Sequence, residues 1–197
     1  MIDDKLVATS SSHTRVTNPC FPSGYDGEYN GVALVGSSDW DACLSITSTL
    51  ITDFQHQVCL HSDHERCSID GVYMPALPND MTFLAMSSFF YTWSFFKLPT
   101  GAGVNANRSG DLSALLAAAK SFCSKDAKGQ AAYNNSLPYP QQPPYVYNYC
   151  FGAAYAFALL HLGYGMPKEN TPIQVGSSVN GNSVSWACAF LPLHLFA

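Results

Sequence analysis

The chain has 197 residues, 47% hydrophobic and only 12% charged, the latter about half of the roughly 25% usual in soluble domains. Its net charge is −5, from 9 Lys+Arg against 14 Asp+Glu, so no basic stripe can neutralise phosphates and nucleic acid is excluded as a partner class. The 11 Tyr, 12 Phe and 3 Trp are ample for a core, which argues against disorder, and the low charge fraction points to apolar surface meant for another domain or partner.

Taken in chain order, MIDDKLVATS at the start is acidic and polar and lacks the basic start and apolar run of a secretory signal. It reads as a truncation, with residues 1–17 poorly ordered or part of a cut strand. Asn18 to Tyr25, NPCFPSGY, reads as an irregular anchor. Gly31 to Val35 is short and β-like. Ser38 or Asp39 then caps a helix whose apolar residues Trp40, Cys43, Leu44, Leu50, Ile51 and Phe54 recur at helical spacing. A polar loop runs to Arg66, and Val72 to Met74 is strand-like before Pro75 and Pro78. Met81 to Leu98 reads as one buried aromatic helix rather than a membrane span. Asp111 caps a helix through about Cys123. The four prolines of Ser136 to Tyr147 forbid regular helix, and a further helix opens at Asn148 or Tyr149 and stops at Gly163 and Gly165. Ile173 to Val175 is strand-like, and Ser185 to Phe196 is a last apolar helix.

The seven cysteines allow three bridges and one leftover thiol, and connectivity does not follow from their number. Cys59 and Cys67 flank a short polar loop. Cys123 ends one helical segment and Cys150 begins the next. Sequons at Asn107 and Asn134, together with the cysteines, favour a secreted or lumenal setting.

Several motifs have plain readings. Gly36-Ser37-Ser38 lacks the lysine or acid a phosphate loop needs and reads as a turn before a helix cap. Cys59, His61, His64 and Cys67, with Asp63 beside them, could take zinc, but their intervals are too tight for a usual finger; a small disulfide loop is preferred. His161 reads as a hydrogen-bonded core residue, and Asp70 as a turn former. No acid pair is placed for general acid/base work. The aromatics Phe89, Phe90, Tyr91, Tyr145, Tyr147 and Tyr149 are either core or, if two tyrosines face each other across a cleft, a sandwich for a planar base.

Six segments in order carry a resemblance: NPCFPSGY from Asn18, CSIDGVYMPAL from Cys67, FLAMSSFFYTWSFF from Phe83, KSFC from Lys120, YNYCFGAAYAFALLHLGYG from Tyr147, and VSWACAFLPL from Val184. With these the chain resembles the C-terminal part of the apyrase family of nucleoside phosphatases, which includes the ecto-nucleoside triphosphate diphosphohydrolases. The resemblance implies an α/β fold, helix-rich with short strands, forming residues 18–197 of the second of two actin-like (RNase H-like) domains. It implies bridges Cys20–Cys43, Cys59–Cys67 and Cys123–Cys150, with Cys188 a buried free thiol and Trp186 a packing residue. It implies that two tyrosines sandwich the nucleotide base: Tyr91 matches one, in SSFFYT, and Tyr149, before the helix cysteine, matches the other. Ser88 falls where a small residue lines the base. Tyr145 stands where some relatives carry arginine, a departure that bears on base preference.

The implied reaction is stepwise hydrolysis of nucleoside tri- or diphosphates with Ca²⁺ or Mg²⁺. The phosphate-gripping loops and the glutamate base belong to N-terminal motifs of the family that these residues do not contain. The expected partners are therefore a nucleoside di- or triphosphate and the N-terminal domain of the same enzyme. No catalytic or metal-ligating residue is assigned to this chain, and alone it is expected to be inactive. The full protein is expected to be secreted, at the cell surface or in the Golgi/ER lumen, with or without a membrane anchor. The alternatives are a non-catalytic nucleotide-binding module and a disulfide-stabilised structural module.

Overall fold

A computed structural model describes residues 15–59, 69, 72–78, 80–102, 110–138 and 143–183. Strand β1 (Arg15–Asn18) lies parallel to β3 (Val32–Gly36), and β2 (Asp26–Tyr29) pairs antiparallel with β3, giving the order β1-β3-β2. The β2–β3 hairpin turns on Asn30 and Gly31, both at positive φ (49° and 79°), the backbone that an Asn-Gly pair adopts readily. Gly36 ends β3 against the Phe21–Pro22 backbone; a Cβ there would sit 1.9 Å from the Pro22 carbonyl oxygen, so only glycine fits.

Helix α1 (Trp40–Cys59) starts where Asp39 Oδ1 accepts from the Ala42 amide, a side-chain cap on the first turn. Four of its hydroxyl residues close on their own helix: Thr47, Ser48, Thr49 and Thr52 each donate to a carbonyl one turn back. Thr47 can thus be fully buried without an unmet hydroxyl. The Cys20–Cys43 disulfide ties this helix to the anchor segment before β2.

The aromatic stretch from Met81 is not one helix. Strand β4 (Phe83–Ala85) pairs parallel with β5 (Ile173–Val175), and helix α2 (Ser88–Phe95) begins only after Ser87. Short apolar runs do not declare helix or strand by periodicity, and here a distant partner strand decides. Helix α3 (Leu112–Cys123) has its expected cap, Asp111 Oδ1 accepting from the Ser113 amide at 3.0 Å. Helix α4 (Ala127–Asn135) follows, capped by Asp126 on the Gly129 amide at 2.8 Å. After the prolines a short 3₁₀ turn (Val146–Asn148) leads into α5 (Tyr149–Phe157), which continues as a π-helical segment (Ala158–Gly163). Strands β6 (Ser178–Val179) and β7 (Asn182–Ser183) form a small hairpin. Val72–Met74, expected as a strand, holds a single bridged residue, Tyr73. Arg15–Thr17 lie in β1, so the polar start does include strand.

Helix α5 is the hub: α1, α2 and α3 all pack on it. Its inward positions include Ala153, Ala154 and Ala156, small enough to let neighbouring helices approach closely. The core around it holds Trp93, Leu112, Leu115, Phe122, Ile173 and Val175. The Cys123–Cys150 disulfide staples the end of α3 to the start of α5. By loop-closure entropy each bridge, spanning 23 and 27 residues, contributes about 3.5 kcal/mol. The Cys59–Cys67 pairing, the Cys/His loop, Asp70, Cys188, Trp186 and the expected last helix lie outside the described residues. Among the described residues no helix is long and apolar enough to cross a membrane.

Candidate functional site: an aromatic cleft between two helices

Strand β4 delivers the chain to Ser87, whose φ of 56° and ψ of −120° are rarely adopted by a residue with a side chain. This sharp bend turns the chain straight into α2 and sets Ser88 at its first position. Residues three and four apart share a helix face, so Ser88, Tyr91 and Thr92 present one wall. Thr92 Oγ1 donates to the Ser88 carbonyl at 2.8 Å, which turns its hydroxyl back onto the helix.

The other lining residues come from the Pro143–Gly152 segment. Tyr145 and Tyr149 are four residues apart, as are Asn148 and Gly152. An open cleft of about 250 Å³ is lined by Ser88, Tyr91 and Thr92 from α2 and by Pro143, Tyr145, Asn148, Tyr149 and Gly152 from this second segment. Gly152 lies close to Thr92: a Cβ there would make an ordinary contact with Thr92 Oγ1 at 3.7 Å. None of these eight residues is ionised at neutral pH. The cleft suits a flat, uncharged group and offers no counter-charge for a phosphate.

The tyrosines differ in how they are held. Tyr149 is half-buried and stacked on Phe95, with centroids 3.8 Å apart and planes 17° from parallel. Phe95 is itself wedged against Phe96, Phe122 and Tyr133, and Tyr133 Oη donates to the Phe95 carbonyl at 2.9 Å. With Cys150 in a disulfide, Tyr149 stands on rigid support. Burial first, and the proximity of Tyr91 second, push its phenol above the ordinary tyrosine range. Tyr91 and Tyr145 are 63% and 71% exposed, large rings left in solvent at the cleft mouth. Exposed aromatics converging on a concave surface mark a binding site more often than leftover core.

All four residues singled out from the sequence, Ser88, Tyr91, Tyr145 and Tyr149, therefore line one cleft. Thr92, Pro143, Asn148 and Gly152 join them unanticipated, although Thr92 and Gly152 sit one turn from Ser88 and Tyr149 and spacing could have found them. Asn107 lies outside the described residues. Asn134 is in the last turn of α4, its Nδ2 donating to the Pro143 carbonyl at 3.3 Å. His161, expected in the core, is half-buried; its Nδ1 donates to the Met166 carbonyl at 2.7 Å at the end of the π-helical segment. Among the described residues no three His, Cys, Asp or Glu side chains cluster to hold a metal ion.

The fold and this cleft define an α/β protein with an uncharged aromatic cleft mounted on a disulfide-stapled helical hub. The GDA1/CD39 (nucleoside phosphatase) family matches residues 2–195. The chain is 29% identical to probable apyrase 3 of Arabidopsis thaliana, covering 91% of this chain and 37% of that protein. It is 34% identical to ectonucleoside triphosphate diphosphohydrolase 2 of Homo sapiens over 77% of this chain and 28% of that protein. With ectonucleoside triphosphate diphosphohydrolase 3 of Homo sapiens it shares 26% identity over 94% of this chain and 36% of that protein. The chain spans about a third of the length of these curated relatives and belongs to the GDA1/CD39 nucleoside phosphatase family.

Proposed function

We propose that these residues supply the nucleobase-binding part of an apyrase-like nucleoside tri-/diphosphate phosphohydrolase, and that residues 18–197 form the C-terminal part of the second of two actin-like domains. The observation that carries this reading is the convergence of Tyr91 and Tyr149, from helices far apart in sequence, on one uncharged cleft. A purine or pyrimidine fits that chemistry. Its faces stack on phenol rings, at about 1–3 kcal/mol per base. Its polar edges meet Ser88 and Asn148, which can donate or accept. Tyr145 adds a third ring in place of a cation, so base selection here rests on stacking and edge contacts rather than on a guanidinium.

The phosphates of such a ligand point away from the cleft. Their grip, the water-activating carboxylate and the divalent cation of the reaction are assigned to polypeptide outside these residues, and no hydrolytic step is derived for the chain itself. Phosphoryl transfer depends on positioning and charge stabilisation, and an uncharged aromatic cleft supplies neither. An oxidising compartment, secreted, lumenal or at the cell surface, is supported by the two disulfides.

The test is ADP titration of the purified chain, paired with a phosphate-release assay in Ca²⁺ and in Mg²⁺. Saturable ADP binding with no phosphate release is expected. Rapid release would overturn the division of labour, and binding unaffected by combined Tyr91→Ala and Tyr149→Phe would overturn the base site.

A further inference from the structure

Helix α4 is short and polar, yet it carries two carboxamides one turn apart on the same face, Gln130 buried and Asn134 half-buried. Gln130 is fully buried; its Nε2 donates to the Lys125 carbonyl at 3.4 Å and to Cys150 Sγ at 3.6 Å. Asn134 Nδ2 donates to the Pro143 carbonyl at 3.3 Å. A carbonyl only accepts, so both amide groups are oriented without ambiguity. Gln130 Oε1 and Asn134 Oδ1 are left buried with no hydrogen-bond partner among the described residues. An unmet buried acceptor is costly. Two on one helix face indicate that the nitrogen ends are doing something the fold requires.

What they hold is one wall of the cleft. Pro143 lines it, and Cys150 directly follows Tyr149. Between these two grips run Tyr145 and the 3₁₀ turn, which packs on α4. The prolines before this segment remove amide donors, so regular backbone pairing cannot fix it. We infer that Asn134 is a positioning residue of the cleft: with Gln130 it clamps the Pro143–Cys150 segment that carries Tyr145 and Tyr149, and its amide nitrogen serves this clamp instead of a glycan. The Asn134-Asn135-Ser136 sequon is then a coincidence of sequence. A sugar on Nδ2 would need the space beside the Pro143 carbonyl.

The clamp itself does not depend on the ligand; only its effect on nucleotide affinity rests on the function proposed above. The test uses the full chain secreted from eukaryotic cells, as native protein, Asn134→Asp, Asn134→Leu and Ser136→Ala. Three readouts are taken: glycopeptide mass, hydrogen exchange of the Val146–Tyr149 amides, and ADP affinity, with the melting temperature alongside. Leucine removes the unmet Oδ1 together with the donor, so Asn134→Leu stays folded even if the aspartate variant does not. Expected are an unmodified Asn134, Ser136→Ala behaving as native, and Asn134→Leu exchanging these amides at least fivefold faster with about five- to tenfold weaker ADP binding at a nearly unchanged melting temperature. A glycan on Asn134 in the folded protein, or native exchange in Asn134→Leu, overturns the inference. If native protein binds no ADP, the base-site reading fails by itself, and mass and exchange still decide the clamp.

Discussion

Tyr91→Ala separates binding from folding cleanly. Its ring is 63% exposed, so truncation removes little buried surface and should alter stability by about 0.5 kcal/mol or less, roughly 1–2 °C in melting temperature. Tyr149 is the opposite case. It stacks on Phe95 at 3.8 Å, and Tyr149→Ala would open a hole in the aromatic cluster at about 3 kcal/mol. The loss of one base stack is worth about 1–3 kcal/mol, which at 1.4 kcal/mol per tenfold is about 5- to 150-fold in affinity. The assay is calorimetric or NMR titration of native and Tyr91→Ala chains with ADP, and with ribose 5-phosphate as a ligand lacking the base. ADP affinity should fall within that range while the melting temperature stays put, and ribose 5-phosphate, lacking the base, should bind neither chain measurably. An ADP affinity unchanged within twofold would refute the stacking argument. Ribose 5-phosphate binding as tight as ADP would show that the chain holds something other than the base.

Three further outcomes follow from the same geometry. Replacing Cys123 and Cys150 together by alanine should cost about 3.5 kcal/mol in urea denaturation, and a loss under 1 kcal/mol would contradict the staple. Gly36→Ala should destabilise by about 1–3 kcal/mol or prevent folding, because its Cβ meets the Pro22 backbone and not a side chain that can turn aside; a native melting temperature would contradict the close approach. Burial raises the Tyr149 and Tyr133 phenols, so the folded chain keeps their protons to higher pH than the unfolded chain does. That stability is complete below the ordinary value of 10.0 and is lost as pH climbs through the folded values. Tyr149→Phe should flatten the alkaline decline in denaturation midpoints, and an identical pH profile would contradict the assignment.

How much of this was readable in advance differs from element to element. Helix α3 declared itself through Asp111 and an apolar face, and both cues are local. Helix α4 did not. Its nine residues, AKGQAAYNN, are polar and contain a glycine that costs about 1 kcal/mol in a helix interior. It exists because Asp126 caps it and because Gln130 and Tyr133 are held by Cys150 and Phe95, contacts that no local pattern displays. Strand β2 was missed although Asn30-Gly31, a strong hairpin signal, stood beside it. The break of the aromatic stretch at Ser87 depends on β5, which lies some ninety residues further on. At the cleft, spacing along each helix was legible: Ser88 with Tyr91, and Tyr145 with Tyr149. What no spacing reveals is that α2 and α5 pack together and bring the two sets to one cavity, or that Asn134 reaches Pro143 to hold its wall. Tertiary packing, not propensity, fixes both.

The central claim is that a base lies between Tyr91 and Tyr149. Intermolecular nuclear Overhauser contacts in the chain saturated with ADP address it directly. Cross-peaks from the adenine H2 and H8 protons to the ring protons of both tyrosines are predicted. Contacts to neither ring, or adenine resting on aromatics outside the cleft, would contradict the account.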